Sequence, residues 1–147
     1  MAKGKKEKGT LERTLAIIKP DAVRAGDIGN IVARIEKEGF RVVSLKMVHL
    51  TKWQAEGFYE VHRQRPFFGE LTDFMSSGPC VGLVLERIDA IARWRKVMGD
   101  TDSRKAARGT IRSRYGTDKQ CNATHGSDAT QTAAAEIGFF FPDLEWM

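Results

Sequence analysis

Of the three histidines in the chain, one stands in the stretch Cys121-Asn122-Ala123-Thr124-His125-Gly126-Ser127-Asp128. Imidazole keeps a free ring nitrogen near neutral pH, which makes it a nucleophile as well as a base. Gly126 permits close backbone approach and a sharp chain reversal. Ser127 or Asp128 can cap a following helix, and the N-terminus of that helix favours an anion. Together these features describe a nucleophile beside a phosphate site, although the octapeptide alone also fits a histidine hydrogen-bonded at a strand end. His49 and His62 lack such surroundings and are read as structural.

Other side chains suit the same chemistry. Arg95 lies seven residues after Ile88, on the expected apolar stripe of a helix, where a guanidinium must snorkel or meet an anion. Thr101 follows Gly99-Asp100, and Arg112 follows Thr110-Ile111. A hydroxyl, exposed amides and a guanidinium there can meet phosphate oxygens. Lys19 ends an apolar run, while Phe67 and Phe68 suit either a core or a stacking surface at a cleft mouth. The chain has no G-x-x-x-x-G-K-[ST], no G-x-G-x-x-G and no H-R-D with D-F-G. A phosphate site here therefore needs a cradle other than a P-loop or a protein-kinase loop.

The elements that must position these groups follow from periodicity. Arg13 to Lys19 reads as a buried strand ended by a turn at Pro20. Asp27 is the expected N-cap of a helix with the stripe Ile28, Ile31, Val32 and Ile35, stopped by Gly39. Phe40 to Leu50 is dense in β-branched and apolar residues and reads as a second strand. Thr51 and Gln54 have capping-box spacing. A short helix follows Arg65-Pro66-Phe67-Phe68, then a strand from Cys80 to Glu86, then a helix through Ile88, Ile91, Ala92 and Met98. Residues 99–116 read as a long surface loop with at most one helical turn, a length usually associated with function. A short strand leads into His125, a helix covers Asp128 to Ile137, and Gly138-Phe139-Phe140-Phe141 packs back onto the body. This order implies an α/β or α+β domain with one sheet and crossover helices on a face.

The chain has 147 residues, 41% of them hydrophobic and 29% charged, which suits one globular domain and argues against disorder. No apolar run reaches the length of a membrane span, and Cys80 and Cys121 form no C-x-x-C, so a reducing cytoplasm is the expected location. The net charge is +5, of which Lys3, Lys5, Lys6, Lys8 and Glu7 contribute +3. Residues 1–11 are expected to form a mobile basic tail preceding a domain over 12–147. The tail and the Arg/Lys-rich loop leave nucleic-acid binding open as a secondary activity, one that should weaken steeply with salt.

Asn122-Ala123-Thr124-His125-Gly126-Ser127-Asp128, with T-L-A-I-I-K-P-D-A-V, R-P-F-F, S-G-P, G-D-T and G-T-I-R before it in that order, resembles the nucleoside diphosphate kinase family from Glu12 to Phe141. The resemblance implies a ferredoxin-like fold with a four-stranded antiparallel sheet. It implies ping-pong transfer, in which His125 takes the γ-phosphoryl group of a nucleoside triphosphate and passes it to a nucleoside diphosphate. By the same resemblance Lys19 and Asn122 hold the ribose hydroxyl and nearby phosphate oxygens, and Tyr59 lines the site near His125. Phe67 stacks on the base. Arg95, Thr101 and Arg112 bind phosphates, while Glu136 orients the imidazole with help from Ser127. Mg²⁺ is implied as cofactor, held mainly by the nucleotide rather than by protein ligands, and a homo-oligomer, hexamer or tetramer, as the assembly.

Two positions depart from the family pattern. Lys119 stands where an apolar residue usually faces the base, and residues 102–109 lack the prolines that commonly stiffen this loop. Two geometric demands also arise. A straight helix would carry Glu136 about 12 Å past the strand end, so the chain must reverse at Gly126 for Glu136 to reach His125. Strict strand alternation would put Asn122 and His125 on opposite faces, so some local irregularity must intervene.

Overall fold

A computed structural model describes residues 8–144 of the chain. Every residue from Thr14 to Ile18 in β1 (Leu11–Ile18) is buried, as is every residue from Cys80 to Leu85 in β3 (Cys80–Ile88). Strands that read as unbroken apolar runs must be covered on both faces. That is the case here. Leu15 and Ile17 join Tyr59, Phe74, Met75 and Phe140 in one core, while Ala16 and Ile18 join Ile31, Ile35, Trp94 and Met98 in the other.

With β2 (Arg41–Val48) and β4 (Thr124–Gly126), these strands form a sheet in the order β2-β3-β1-β4, each neighbouring pair antiparallel. This is the ferredoxin-like arrangement. β1 and β3 are central, and the short β4 pairs with the end of β1 through Ile17↔His125. β2, shorter at both ends than the expected Phe40 to Leu50, is an edge strand with a register shift between Val42 and Ser44. The expected tail, residues 1–11, lies mostly outside the described residues, and β1 begins at its last residue, Leu11.

Local chemistry accounts for most helices. α2 (Ile28–Lys37) buries Ile31 and Ile35, and Gly39, at φ 86°, provides the left-handed residue that ends it. Asp27 occupies the N-cap position, but its side chain makes no capping bond. In α3 (Lys52–Phe58) the capping box is complete: Thr51 N donates to Gln54 Oε1 at 2.9 Å, and Gln54 N donates to Thr51 Oγ1 at 3.1 Å. A 3₁₀ turn over Glu60–His62 leads to α4 (Phe68–Met75). The loop after residue 99 contains α6 (Ile111–Tyr115), capped by the Thr110 hydroxyl.

Three further boundaries differ from expectation. The turn at Pro20 is a helix, α1 (Pro20–Arg24), because proline at the first helical position supplies its φ and holds the preceding Lys19 extended, at ψ 163°. Ile88 belongs to β3, and α5 (Ala90–Met98) starts only after Asp89, at φ 51°. Its buried face is consequently Ala90, Ile91, Trp94, Val97 and Met98, which leaves Arg95 exposed rather than on the apolar stripe. α7 (Thr130–Phe140) begins two residues later and ends three residues later than expected, because Phe140 continues its packing into the core.

Candidate active site

A cleft of about 540 Å³, within the range of small-molecule sites, collects Lys19, Tyr59, Phe67, Arg95, Thr101, Arg112, Asn122, His125 and Glu136. Of the ten site residues expected from sequence, only Ser127 stays out of the lining, lying behind Glu136. The helices and loops that contribute them come from both ends of the chain.

His125 is aimed by the sheet. Residues paired across an antiparallel ladder share a face, so His125 points with Ile17 toward α3 and α7, while Thr124 and Gly126 point with Ile18 and Ala16 toward α5. A Cβ on Gly126 would lie 2.5 Å from Trp94 Cδ1 and 2.6 Å from Met98 Cε. Glycine is thus required here by the packing of α5. Trp94 Nε1 in turn donates to the carbonyl of His125 at 3.1 Å, which fixes the backbone under the imidazole.

The ring itself is oriented by one carboxylate. Three residues separate β4 from α7, enough for the chain to reverse, and the His125 Nε2–Glu136 Oε1 distance is 2.7 Å. An ionised carboxylate only accepts, so the proton sits on Nε2 and the lone pair remains on Nδ1. Ser127 holds the carboxylate in place: its hydroxyl donates to Glu136 Oε1 at 3.0 Å and accepts from Leu15 N at 3.2 Å. Neither Ser127 nor Asp128 is the N-cap of α7, as was expected. Asp128 instead accepts from the Thr132 hydroxyl, whose oxygen accepts from Ala129 N. Phe58 and Tyr59 meet the imidazole edge-on at centroid distances of 5.4 and 6.2 Å. The Tyr59 hydroxyl is buried without a partner among the described residues.

Cations dominate the opposite part of the cleft. Lys19 is 6% exposed and its Nζ donates to Asn122 Oδ1 at 2.9 Å. Burial, reinforced by the charge of Arg112, pushes its pKa down to about 8. Arg112 is 8% exposed; its two terminal nitrogens donate to the carbonyls of Gly99 and Thr124 at 3.0 and 2.9 Å, and its Nε is buried without a partner. Burial and then the charge of Arg95 push it down to about 10. Among the described residues neither Arg112 nor Arg95 forms an ion pair. Crowded cations without a direct carboxylate partner favour a polyanion. Asn122 Nδ2 donates to the Thr101 carbonyl at 3.0 Å, which ties the loop after α5 to the same wall.

Phe67, 46% exposed, lines the cleft together with Lys119, an apolar plane and an amine available to a ligand's ring. His62, read as structural from sequence, also lines it, with its ring 6.4 Å from Tyr59 and 5.6 Å from Phe67. His49 keeps a structural role against the Ser76 carbonyl. Sequence reasoning missed Phe58 and Trp94, for which an aromatic in an apolar pattern carries no signal beyond core packing.

Comparison with known proteins agrees with this chemistry. The family model described as nucleoside diphosphate kinase matches residues 12–146. A nucleoside diphosphate kinase of Desulfosudis oleivorans is 57% identical over 137 residues, covering 93% of this chain and 99% of that protein. One from Desulfatibacillum aliphaticivorans is 56% identical over 135 residues, covering 92% and 98%. Among solved structures, the Aquifex aeolicus nucleoside diphosphate kinase superposes with a TM-score of 0.90 at 51% identity, covering 94% of this chain and all of that one. The Halobacterium salinarum nucleoside diphosphate kinase in complex with CDP gives 0.88 at 40% identity, covering 94% of each chain.

Proposed function

The chain belongs to the nucleoside diphosphate kinase family, whose activity is transfer of a γ-phosphoryl group from a nucleoside triphosphate to a nucleoside diphosphate, and we propose that His125 carries the group between them. The observation that carries this assignment is the Nε2–Glu136 contact, which leaves Nδ1 as the free nucleophile facing a cationic cleft. In the first half-reaction the Nδ1 lone pair attacks the γ-phosphorus. A P–N bond forms, the bond from phosphorus to the β–γ bridging oxygen breaks, and the diphosphate leaves with that electron pair. In the second, a terminal oxygen of another diphosphate attacks the same phosphorus and returns the lone pair to Nδ1. Glu136 offsets the positive charge that the ring carries while Nδ1 is phosphorylated, with no net proton change at Nε2.

Arg95, Arg112 and Thr101 hold phosphate oxygens, Lys19 and Asn122 hold the ribose hydroxyl and adjacent phosphate, and Tyr59 confines the ring. Phosphoryl transfer depends on positioning and on neutralising the equatorial oxygens, and this set supplies both. Stacking on Phe67 reads every base alike, which suits an enzyme serving many nucleotides; Lys119 beside it is the position from which a base preference would arise. Among the described residues no cluster of three His, Cys, Asp or Glu is placed to cage a metal ion. A Mg²⁺ bound mainly by the nucleotide's phosphates fits this donor set and would add charge neutralisation there. Assembly into a homo-oligomer, hexamer or tetramer, belongs to the same reading, supported by the edge strand β2 with Leu45 and Met47 exposed. Cytoplasmic residence is supported by two free cysteines, Cys80 and Cys121. No described helix is long and apolar enough to cross a membrane.

Incubation with Mg²⁺ and γ-labelled ATP tests the proposal. Acid-labile label should appear on His125 and move to a different diphosphate added in a chase; folded protein that takes up no label would refute the carrier role.

A pH dependence follows from Lys19. Its lowered pKa means that the free enzyme loses this cation as pH rises through about 8. The expected kcat/KM falls by up to about tenfold per unit above that value. Bound phosphate restores the charge, so the limb in kcat should lie at higher pH. Lys19→Arg should remove the limb from kcat/KM; a profile flat to pH 9.5 in the wild type would exclude Lys19 as a phosphate ligand. The same shift affects stability with the opposite sense. Between about 8 and 10.5 the unfolded chain holds the proton more tightly, so this group makes the free protein more stable as pH rises through that window.

A further inference from the structure

The irregularity that strand alternation demanded is a γ-turn. Ala123 has φ 68°, a conformation that residues with a Cβ rarely adopt, and Thr124 N donates across it to Asn122 O at 2.8 Å. Left to itself such a turn would open. Both backbone polar groups of Ala123 are held by one short stretch: its carbonyl accepts from Lys19 N at 2.8 Å, and its N–H donates to Asp21 Oδ2 at 3.1 Å. The turn rotates Asn122 onto the cleft wall, where its side chain joins Lys19 Nζ to the Thr101 carbonyl.

Asp21 does not line the cleft. Its placement is also a poor one for stability alone, since burial raises its pKa and its Oδ1 is buried without a partner among the described residues. A costly carboxylate supporting a strained residue marks a local arrangement kept for a site. We infer that Asp21 is a positioning residue of the nucleotide site: its bond to Ala123 N locks the γ-turn that presents Asn122 and Lys19 to the nucleotide. This rests on the reading of the cleft given above. α1 is the device that makes it, because Pro20 starts the helix at the one place where Asp21 in its first turn reaches Ala123.

The test compares two phosphoryl donors for His125. ATP with Mg²⁺ needs the contacts made by Lys19 and Asn122, whereas phosphoramidate, a small donor that releases ammonia as its P–N bond is exchanged for one to the imidazole, does not. In Asp21→Ala the rate of His125 phosphorylation by ATP should fall about 30-fold or more, with the loss seen mainly in KM and in the rate per bound nucleotide, while the phosphoramidate rate stays within about threefold. Asp21→Asn keeps an oxygen able to accept from Ala123 N and should retain at least about a fifth of the wild-type ATP rate. Equal loss with both donors would assign Asp21 to the fold in general and overturn the inference, as would an Asp21→Ala rate with ATP equal to wild type. If Asp21→Ala does not fold, Asp21→Asn decides: loss of the ATP rate beyond tenfold with the phosphoramidate rate intact would overturn the hydrogen-bond role in favour of charge. Wild-type protein labelled by phosphoramidate but not by ATP would overturn the reading of the cleft itself, and the role of Asp21 with it.

Discussion

His125→Ala is expected to lower kcat for transfer between nucleotides by at least about 10⁴-fold while changing equilibrium nucleotide affinity by no more than about threefold. The cleft, at about 540 Å³, is sized for one small-molecule ligand, so donor and acceptor must use it in turn. Without Nδ1 no covalent carrier links the two half-reactions, and direct transfer would need both nucleotides in the space of one. Affinity should survive because the proposed phosphate and ribose contacts come from other side chains, those of Lys19, Arg95, Arg112 and Asn122. The fold should survive too: Glu136 keeps the Ser127 hydroxyl, and Trp94 keeps the backbone carbonyl of residue 125. Steady-state kinetics with calorimetric titration of a diphosphate checks both parts. Residual turnover within 100-fold of wild type would mean that another group carries the phosphoryl.

Arg112→Met should reduce kcat/KM by about 10² to 10³-fold, with kcat bearing part of the loss. The guanidinium is already held by two carbonyls before any ligand arrives, so it meets developing charge without reorganising. Burial and Arg95 both work against its charge, and an anion in the cleft relieves both. Arg112→Lys should remain at least about tenfold impaired, since a single ammonium cannot span the Gly99 and Thr124 carbonyls while facing a phosphate. The melting temperature offers an independent measure: the increase produced by saturating nucleotide should shrink markedly in Arg112→Met, whatever happens to the free protein. An unchanged increment together with wild-type kcat/KM would place Arg112 outside the site.

Local patterns were legible wherever the deciding contacts are local. The Thr51–Gln54 capping box, the Ile31–Ile35 stripe and the Gly39 stop each involve residues within a helical turn of one another, and each formed as expected. α1 was missed because Pro20 satisfies both a turn and a first helical position, and only the downstream partner of Asp21 favours the second. Ile88 was put in the wrong element because an apolar residue at helical spacing is equally at home at the end of a buried strand. That error carried to Arg95, whose exposure follows once the helix phase is counted from Ala90.

Residue types at motif spacing pointed to a candidate phosphate site around His125, because chemical capacity resides in the side chains, whereas Glu136, Tyr59 and Asn122 entered only through the family resemblance. The two-sided burial of β1 and β3 was likewise written in their unbroken apolar runs. The tertiary structure alone decided that Nδ1 is the free nitrogen, that Gly126 answers to Trp94 and Met98, and that Ala123 turns Asn122 onto the wall that His125 faces. Those outcomes depend on pairs such as Lys19 and Asn122, 103 positions apart, or Asp21 and Ala123, 102 apart. Periodicity encodes which face a residue takes within its own element; which distant group meets it there is settled only when strands pair and helices pack.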